Sequence, residues 1–313
     1  MTVPTAGHPA PVTPGGRPFR LLWLSIAAAL VTISLKTAAW LLTGSVGLLS
    51  DAAESLVNLV AAVIALAALT WASKPADEEH AFGHTKAEYL SAGAEGMMIF
   101  VAAVGIAVTA VDRLRHPQPV DAIGVGLVVS TAASLVNLSV GVLLVRAGRR
   151  YRSLVLEADG RHLMTDVWTS AGVIVAVTVV AFTGWRILDP LIALAVAVNI
   201  VYSGISLLRR SIGGLMDRAV PADEQALIQQ VLDARQSANV QFTDVRTRQA
   251  GQQAFVSLTV HVPGDWSVQR GHALADQVEQ DLTRALPHVI VSTHLEPLTD
   301  PVDAYQRPST ASP

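Results

Sequence analysis

The sequence predicts an all-α membrane bundle of six transmembrane helices followed by a small cytosolic α+β domain of αββαβ order, and three observations predict it. Hydrophobic residues make up 51% of the 313-residue chain and charged residues only 15%, whereas soluble chains carry roughly 25% charge, so most of this one belongs in lipid. Six apolar runs, each long enough to cross about 30 Å of hydrocarbon, follow one another up to residue 208. Beyond that point the pattern turns to short amphipathic and alternating segments of a soluble fold. The mean hydropathy of +0.44 agrees with this division.

Residues 1–17, rich in Pro, Gly, Thr and Ala, have nothing to bury and read as a disordered tail. Arg17 and Arg20 then precede the run 21–42, which is too long for a signal-peptide core and reads as an uncleaved first span. The second span covers 47–72, and a polar linker with Asp77, His80, His84 and Lys86 leads to the third at 87–111. A Pro-containing loop at 112–121 precedes the fourth span, 122–145. After a basic loop with Arg146, Arg149, Arg150 and Arg152 come the fifth span, 154–182, and the sixth, 187–208, so that the membrane domain extends over 18–210.

The soluble domain, 211–298, reads as a helix at 221–234, strands at 242–248 and 255–262, a helix at 267–286 and a strand at 289–295. That order suggests two layers, with both helices on one face of the sheet. Residues 299–313 form a second disordered tail.

Six spans place both termini on one side. The N-terminal arm, the 73–86 linker, the 146–152 loop and the residues after the sixth span hold most of the Lys and Arg, against Arg113, Arg115 and Arg186 opposite. Both termini are therefore expected in the cytoplasm, with the chain in the cell (inner) membrane. The net charge of -3 argues against nucleic acid as a partner, since phosphate binding calls for clustered cations. The absence of cysteine excludes disulfides and thiolate metal sites and disfavours a soft Cu(I) cargo.

The residues that carry chemistry lie inside the spans. Asp51, Glu54 and Asn58 in the second, and Asp159, His162 and Asp166 in the fifth, each follow an i, i+3, i+7 spacing, which is one face of a helix. On the expected topology the two helices are antiparallel. Glu54 lies about 10 Å below the outer end of its span and His162 about 12 Å above the inner end of its own, so both approach the midplane. Intramembrane carboxylates are expensive unless they have work to do. Glu54, Asn58, His162 and Asp166 are thus expected to converge on one divalent metal ion, with Asp51 and Asp159 along the ion path. Asn137 and Asn199 lack polar companions at helical spacing and read as hydrogen-bonding glue between helices. The linker residues Asp77, His80 and His84 have the chemistry of a metal site, but their spacing alone does not separate one from a solvated loop.

Five segments carry a family resemblance: SVGLLSDAAESLVN at 45–58, PADEEHAFGHTKAE at 75–88, the His162-x-x-x-Asp166 helix, GLMDRA at 214–219 and THLEP at 293–297. Together they resemble the cation diffusion facilitator family from residue 21 to about 297. The resemblance implies a homodimer in the lipid bilayer that exports divalent metal in exchange for protons, with a ferredoxin-like cytosolic domain in each subunit. It places a loop metal site on Asp77, His80 and His84, an interface charge pair on Lys86 and Asp217, and a cytosolic metal site on His272, His294 and Glu296. Relatives carry His or Asp, then Asp, where this chain has Glu54 and Asn58, and some carry histidine where it has Thr243 and Thr259. His261 stands two residues beyond Thr259 as a substitute ligand.

Glu54, Asp166 and a neutral His162 would leave a divalent cation net-neutral, as a low dielectric requires, with the Asn58 carbonyl as fourth ligand. The N/O donor set favours Zn²⁺, with Mn²⁺, Fe²⁺ and Co²⁺ as alternatives. Protons compete for the same lone pairs, with His162 the expected carrier. An intramembrane metalloenzyme would want a His-Glu-x-x-His motif, which the sequence lacks. A membrane metal sensor would use the same ligands without flux.

Overall fold

The computed structural model describes residues 16–43, 46–115, 125–183, 185 and 187–298. The chain divides into two compact units, one ending at Met216 and the other beginning at Asp217.

The first unit is built from long helices: α1 (Arg17–Thr43), α2 (Val46–Ala72), α3 (Ala87–Arg115), α4 (Val125–Tyr151), α5 (Leu154–Thr183) and α6 (Leu188–Leu215). Among the described residues, stretches of α1, α3, α4 and α6 are long and apolar enough to cross a membrane. The other two, α2 and α5, carry the polar stripes; of α2, the stretch Asn58–Ala72 is apolar as well. Val101, Val108, Val128 and Val198 are exposed on the bundle surface, where lipid rather than water accounts for such side chains.

Two helices run further than their apolar segments suggest. The basic residues Arg146, Arg149 and Arg150 are the last turns of α4, not a loop, and α6 continues past Arg209 and Arg210 to Leu215. Hydropathy falls at an arginine, but helical hydrogen bonding does not, since arginine is a good helix former. The actual α4–α5 turn is Arg152 and Ser153. Arg152 takes φ 57°, Ser153 N–H returns to the Gly148 carbonyl at 2.9 Å, and the Ser153 hydroxyl donates to Glu88 Oε2 at 2.8 Å.

Within the unit α3 packs along α6, α4 along α5 and α1 along α2; α5 also touches α2, α3 and α6. Small residues set how closely these pairs approach. A Cβ on Gly160 would stand 2.8 Å from Val145 N and 2.9 Å from the Gly141 carbonyl, and one on Gly204 would stand 3.1 Å from the Gly96 carbonyl. Apolar packing fills the rest, with Leu22, Leu69, Leu144, Val155 and Leu163 in one cluster and Ile99, Leu154, Ile200 and Leu207 in another.

The second unit comprises α7 (Ala222–Asp233), β1 (Gln241–Ala250), β2 (Gln253–Val262), α8 (Val268–Ala285) and β3 (Val289–Pro297). Its sheet order is β1-β2-β3; β1 and β2 form an antiparallel hairpin and β2 and β3 run parallel through the α8 crossover. Alternation along β2 sends Ala254, Val256, Leu258, Val260 and Val262 to one face, where they bury against Ile228, Leu232, Val278 and Leu282 of the helices. The Ser267 side chain caps α8 by accepting from Arg270 N–H.

Candidate metal centres

Asn58 on α2 and His162 and Asp166 on α5 are buried and in contact. His162 Nε2–H donates to Asn58 Oδ1 at 2.6 Å, and the Asn58 amide donates to Asp166 Oδ2. Asp166 Oδ2 accepts a second amide, that of Asn137 on α4, at 3.0 Å. The carbonyl acceptor consumes the proton on Nε2, leaving Nδ1 of His162 as the lone-pair nitrogen, and that atom is buried without a hydrogen bond, as is Asn137 Oδ1. With the ring proton carried on Nδ1 instead, the Nε2 lone pair that faces Asn58, the Asp166 carboxylate and two amide carbonyl oxygens can satisfy one cation in place of these hydrogen bonds. Glu54 is one turn before Asn58 on α2; its side chain and that of Asp51 lie outside the described residues.

Three of the four expected intramembrane ligands therefore meet, and a fourth polar group joins them. On its own helix Asn137 has only the hydroxyls of Ser130 and Ser134 at helical spacing, and Ser134 donates to the Ser130 carbonyl, so spacing marks no ligand stripe on α4; the partner of Asn137 comes from α5. Asn199, the other isolated amide, is exposed, so burial does not support its reading as helix glue.

The α2–α3 linker brings Asp77, His80 and His84 together, with a ligand atom from each within 4.8 Å of the others. His80 Nδ1 is 3.2 Å from Asp77 Oδ1, and His84 Nε2 is 3.3 Å from Asp77 Oδ2. Gly83, at φ 81°, supplies the left-handed turn that returns the chain, and its N–H bonds the His80 carbonyl at 2.8 Å. His84 is buried, and its Nδ1–H donates to the Pro75 carbonyl at 3.2 Å. That bond leaves the lone pair of a neutral His84 on Nε2, facing a carboxylate oxygen, an arrangement that a shared cation relieves. The His80 backbone N–H on Asp77, aided by the two imidazoles, holds the Asp77 carboxyl below the usual carboxylate range. The order this lends the loop is present above that range and is lost as pH falls below it. In a metal titration of the full-length protein by calorimetry, His84→Ala and Asp77→Ala are expected to remove one binding event. Acidification weakens the same event in the wild type, because a protonated imidazole has no lone pair to give.

The four-residue cytosolic site is not assembled within one chain. His261, His294 and Glu296 share the sheet face away from the helices, since His261 pairs with Glu296, and Thr259 with His294, across the parallel strands. His261 Nε2 is 2.8 Å from Thr243 Oγ1, and His294 Nε2 is 3.3 Å from Glu296 Oε1. His272 lies on α8, in the layer on the opposite side of the sheet, exposed and 3.7 Å from Asp276. Its neighbour Gly271 packs on Leu295, whose side chain alternates to the face opposite His294 and Glu296. Strand alternation thus separates His272 from the other three. Lys86 belongs to the first unit and Asp217 to the second; Asp217 takes φ 56° and pairs with Arg248 at 3.1 Å.

Several buried polar groups escaped a reading based on spacing. Glu88 accepts from Ser153, and Glu157 accepts from Arg161 at 2.9 Å and Arg210 at 2.5 Å, which ties the ends of α3, α5 and α6. Glu95 is fully buried in α3. Glu88 and Glu95 are seven residues apart, two helical turns, a spacing that could have marked α3 as a third polar helix.

Two family models match the chain: a cation efflux transmembrane domain over residues 22–216 and the cytoplasmic domain of a cation efflux protein over 220–298. An uncharacterized transporter of Synechocystis sp. is 49% identical over 297 residues, 95% of each chain. The cation-efflux pump FieF of Klebsiella pneumoniae is 34% identical over 273 residues, 87% of this chain and 90% of the pump. A solved metal-bound C-terminal domain of the CzcD transporter from Thermotoga maritima matches at 27% identity over 25% of this chain and 92% of its own, with a TM-score of 0.23.

Proposed function

The chain belongs to the cation diffusion facilitator family of divalent metal transporters, and from that membership we propose that it is a proton-coupled exporter of zinc from the cytosol, working as a homodimer. It is a multi-pass membrane protein and a transporter rather than an enzyme. In our reading α1–α6 are six spans in the inner membrane, with both termini and the ferredoxin-like second unit in the cytoplasm.

The observation that carries this reading is the buried contact of Asn58, His162 and Asp166 across α2 and α5. An amide that bridges a histidine and a carboxylate holds both ligands against one small volume, and Glu54, one turn along α2, would complete the set. Nitrogen and oxygen donors in a tetrahedral site suit zinc; Mn²⁺, Fe²⁺ and Co²⁺ accept the same donors with added water. A protonated imidazole or carboxyl cannot ligate, so protons arriving from outside displace the metal and a pH gradient becomes a metal gradient. Asp77, His80 and His84 then form a loop site at the cytoplasmic face, while His261, His294 and Glu296 line a sheet face on which a second subunit could complete a site. Lys86 and Asp217 act as the interface charge pair.

The test is metal-by-metal flux into proteoliposomes under an imposed pH gradient. Zinc flux that rises with the gradient and collapses with a protonophore is expected. Tight binding without flux of any divalent metal would identify a sensor instead, and flux indifferent to the gradient would remove the proton coupling.

A further inference from the structure

A second set of buried polar atoms lies apart from the Asn58–His162–Asp166 contact. Glu95 on α3 and Asp159 on α5 are 0% and 1% exposed, and Ser25 on α1 is 0% exposed. Glu95 Oε1 accepts from Ser91 of its own helix at 3.3 Å, but Glu95 Oε2, Asp159 Oδ2 and Ser25 Oγ are all buried without a hydrogen bond. Glu95 is near enough to Asp159 for their charges to act on each other, and Ser25 stands beside Asp159. Neither carboxylate forms an ion pair among the described residues. Arg161 and Arg210 are engaged by Glu157, and Lys36 is about 16 Å along α1 from Ser25.

Two buried carboxylates on the packed helices α3 and α5, with no counter-ion among the described residues, are what a low dielectric tolerates least. Carboxylate oxygens of Glu95 on α3 and Asp159 on α5 that lack a donor, with the Ser25 hydroxyl of α1 beside Asp159, are what a cation satisfies. We propose that Glu95, Asp159 and Ser25 form a second intramembrane site for the divalent cargo, a station that the ion occupies before it reaches His162 and Asp166. The station rests on the transport reading above. Asp159 precedes His162 by three residues on one face of α5, a rise of about 4.5 Å toward the α4–α5 turn, so the two sites are successive rungs of one path. Two carboxylates neutralise a divalent ion. Their all-oxygen donor set, without imidazole, holds zinc less tightly than the His162 site and so favours passage onward.

The experiment is zinc flux through the full-length protein in proteoliposomes, with Glu95→Gln, Asp159→Asn and the double variant. Each single substitution is expected to raise the KM for zinc at least fivefold, and the double variant to raise it little further, because one ion needs both carboxylates. Glu95→Asp retains the charge on a shorter arm and is expected to fall between wild type and Glu95→Gln; it serves as the readout if the glutamine variant fails to fold. An unchanged KM in Glu95→Gln and Asp159→Asn overturns the station. A shift confined to the pH dependence at unchanged KM overturns it too, in favour of a proton-holding pair. A wild-type protein that moves no metal removes the transport reading and the station together, whereas a transporting wild type with unaltered variants removes the station alone.

Discussion

Replacing His162 or Asp166 with alanine should abolish pH-driven zinc flux, a fall of about 100-fold or more, because each substitution removes a donor atom from the buried cluster. Outer-shell groups at metal sites typically cost about 10–100-fold, and a ligand costs at least that. Asn137→Ala offers the graded comparison. Its amide holds Asp166 Oδ2 at 3.0 Å, so its loss frees the carboxylate without deleting it. A fall of about tenfold is expected, seen mainly in KM. Wild-type flux in either His162→Ala or Asp166→Ala would refute the assignment, and equal losses in all three variants would promote Asn137 to a ligand.

The second large effect is expected at Gly160. A methyl there would meet Val145 N at 2.8 Å and the Gly141 carbonyl at 2.9 Å, backbone atoms of α4 that cannot rotate aside. The only relief is for α5 to move away from α4. Forced separation in a packed interior costs about 1–3 kcal/mol, and this seam also joins Asn137 to Asp166. Gly160→Ala is therefore expected to lower both the unfolding temperature in detergent and the flux. Gly105→Ala is the matched control, since a Cβ at Gly105 meets nothing within 4 Å; it should be neutral or slightly stabilising, as alanine favours helix by about 1 kcal/mol. If Gly160→Ala unfolds at the temperature of Gly105→Ala, the helices are not held at backbone distance.

The periodicity of polar residues reached part of the site because a helix repeats every 3.6 residues: Asn58, His162 and Asp166 share faces that can be read from spacing alone. It could not pair Asn137 with Asp166 or Glu95 with Asp159, although Glu88, Ser91 and Glu95 share one face of α3, because each of those partners comes from another helix through side-by-side packing. In the soluble unit, four residues joined by resemblance are divided by the sheet within one chain. His261, His294 and Glu296 alternate to one face, while His272 belongs to the helical layer behind the other.

Composition and hydrophobic period determined that the chain is a membrane bundle with a small α+β unit, because burial in lipid and the repeats of helix and strand leave their mark residue by residue. They also located most element ends to within a few residues, missing only where α4 and α6 carry their hydrogen bonds on through arginines. What tertiary structure alone decided is which polar groups come together: Asn137 with Asp166, Asn58 with His162, His84 with Asp77 around the Gly83 turn. Those meetings depend on how closely helices approach across Gly141 and Gly160 and on how a loop folds back on itself, distances that no periodicity along one segment encodes.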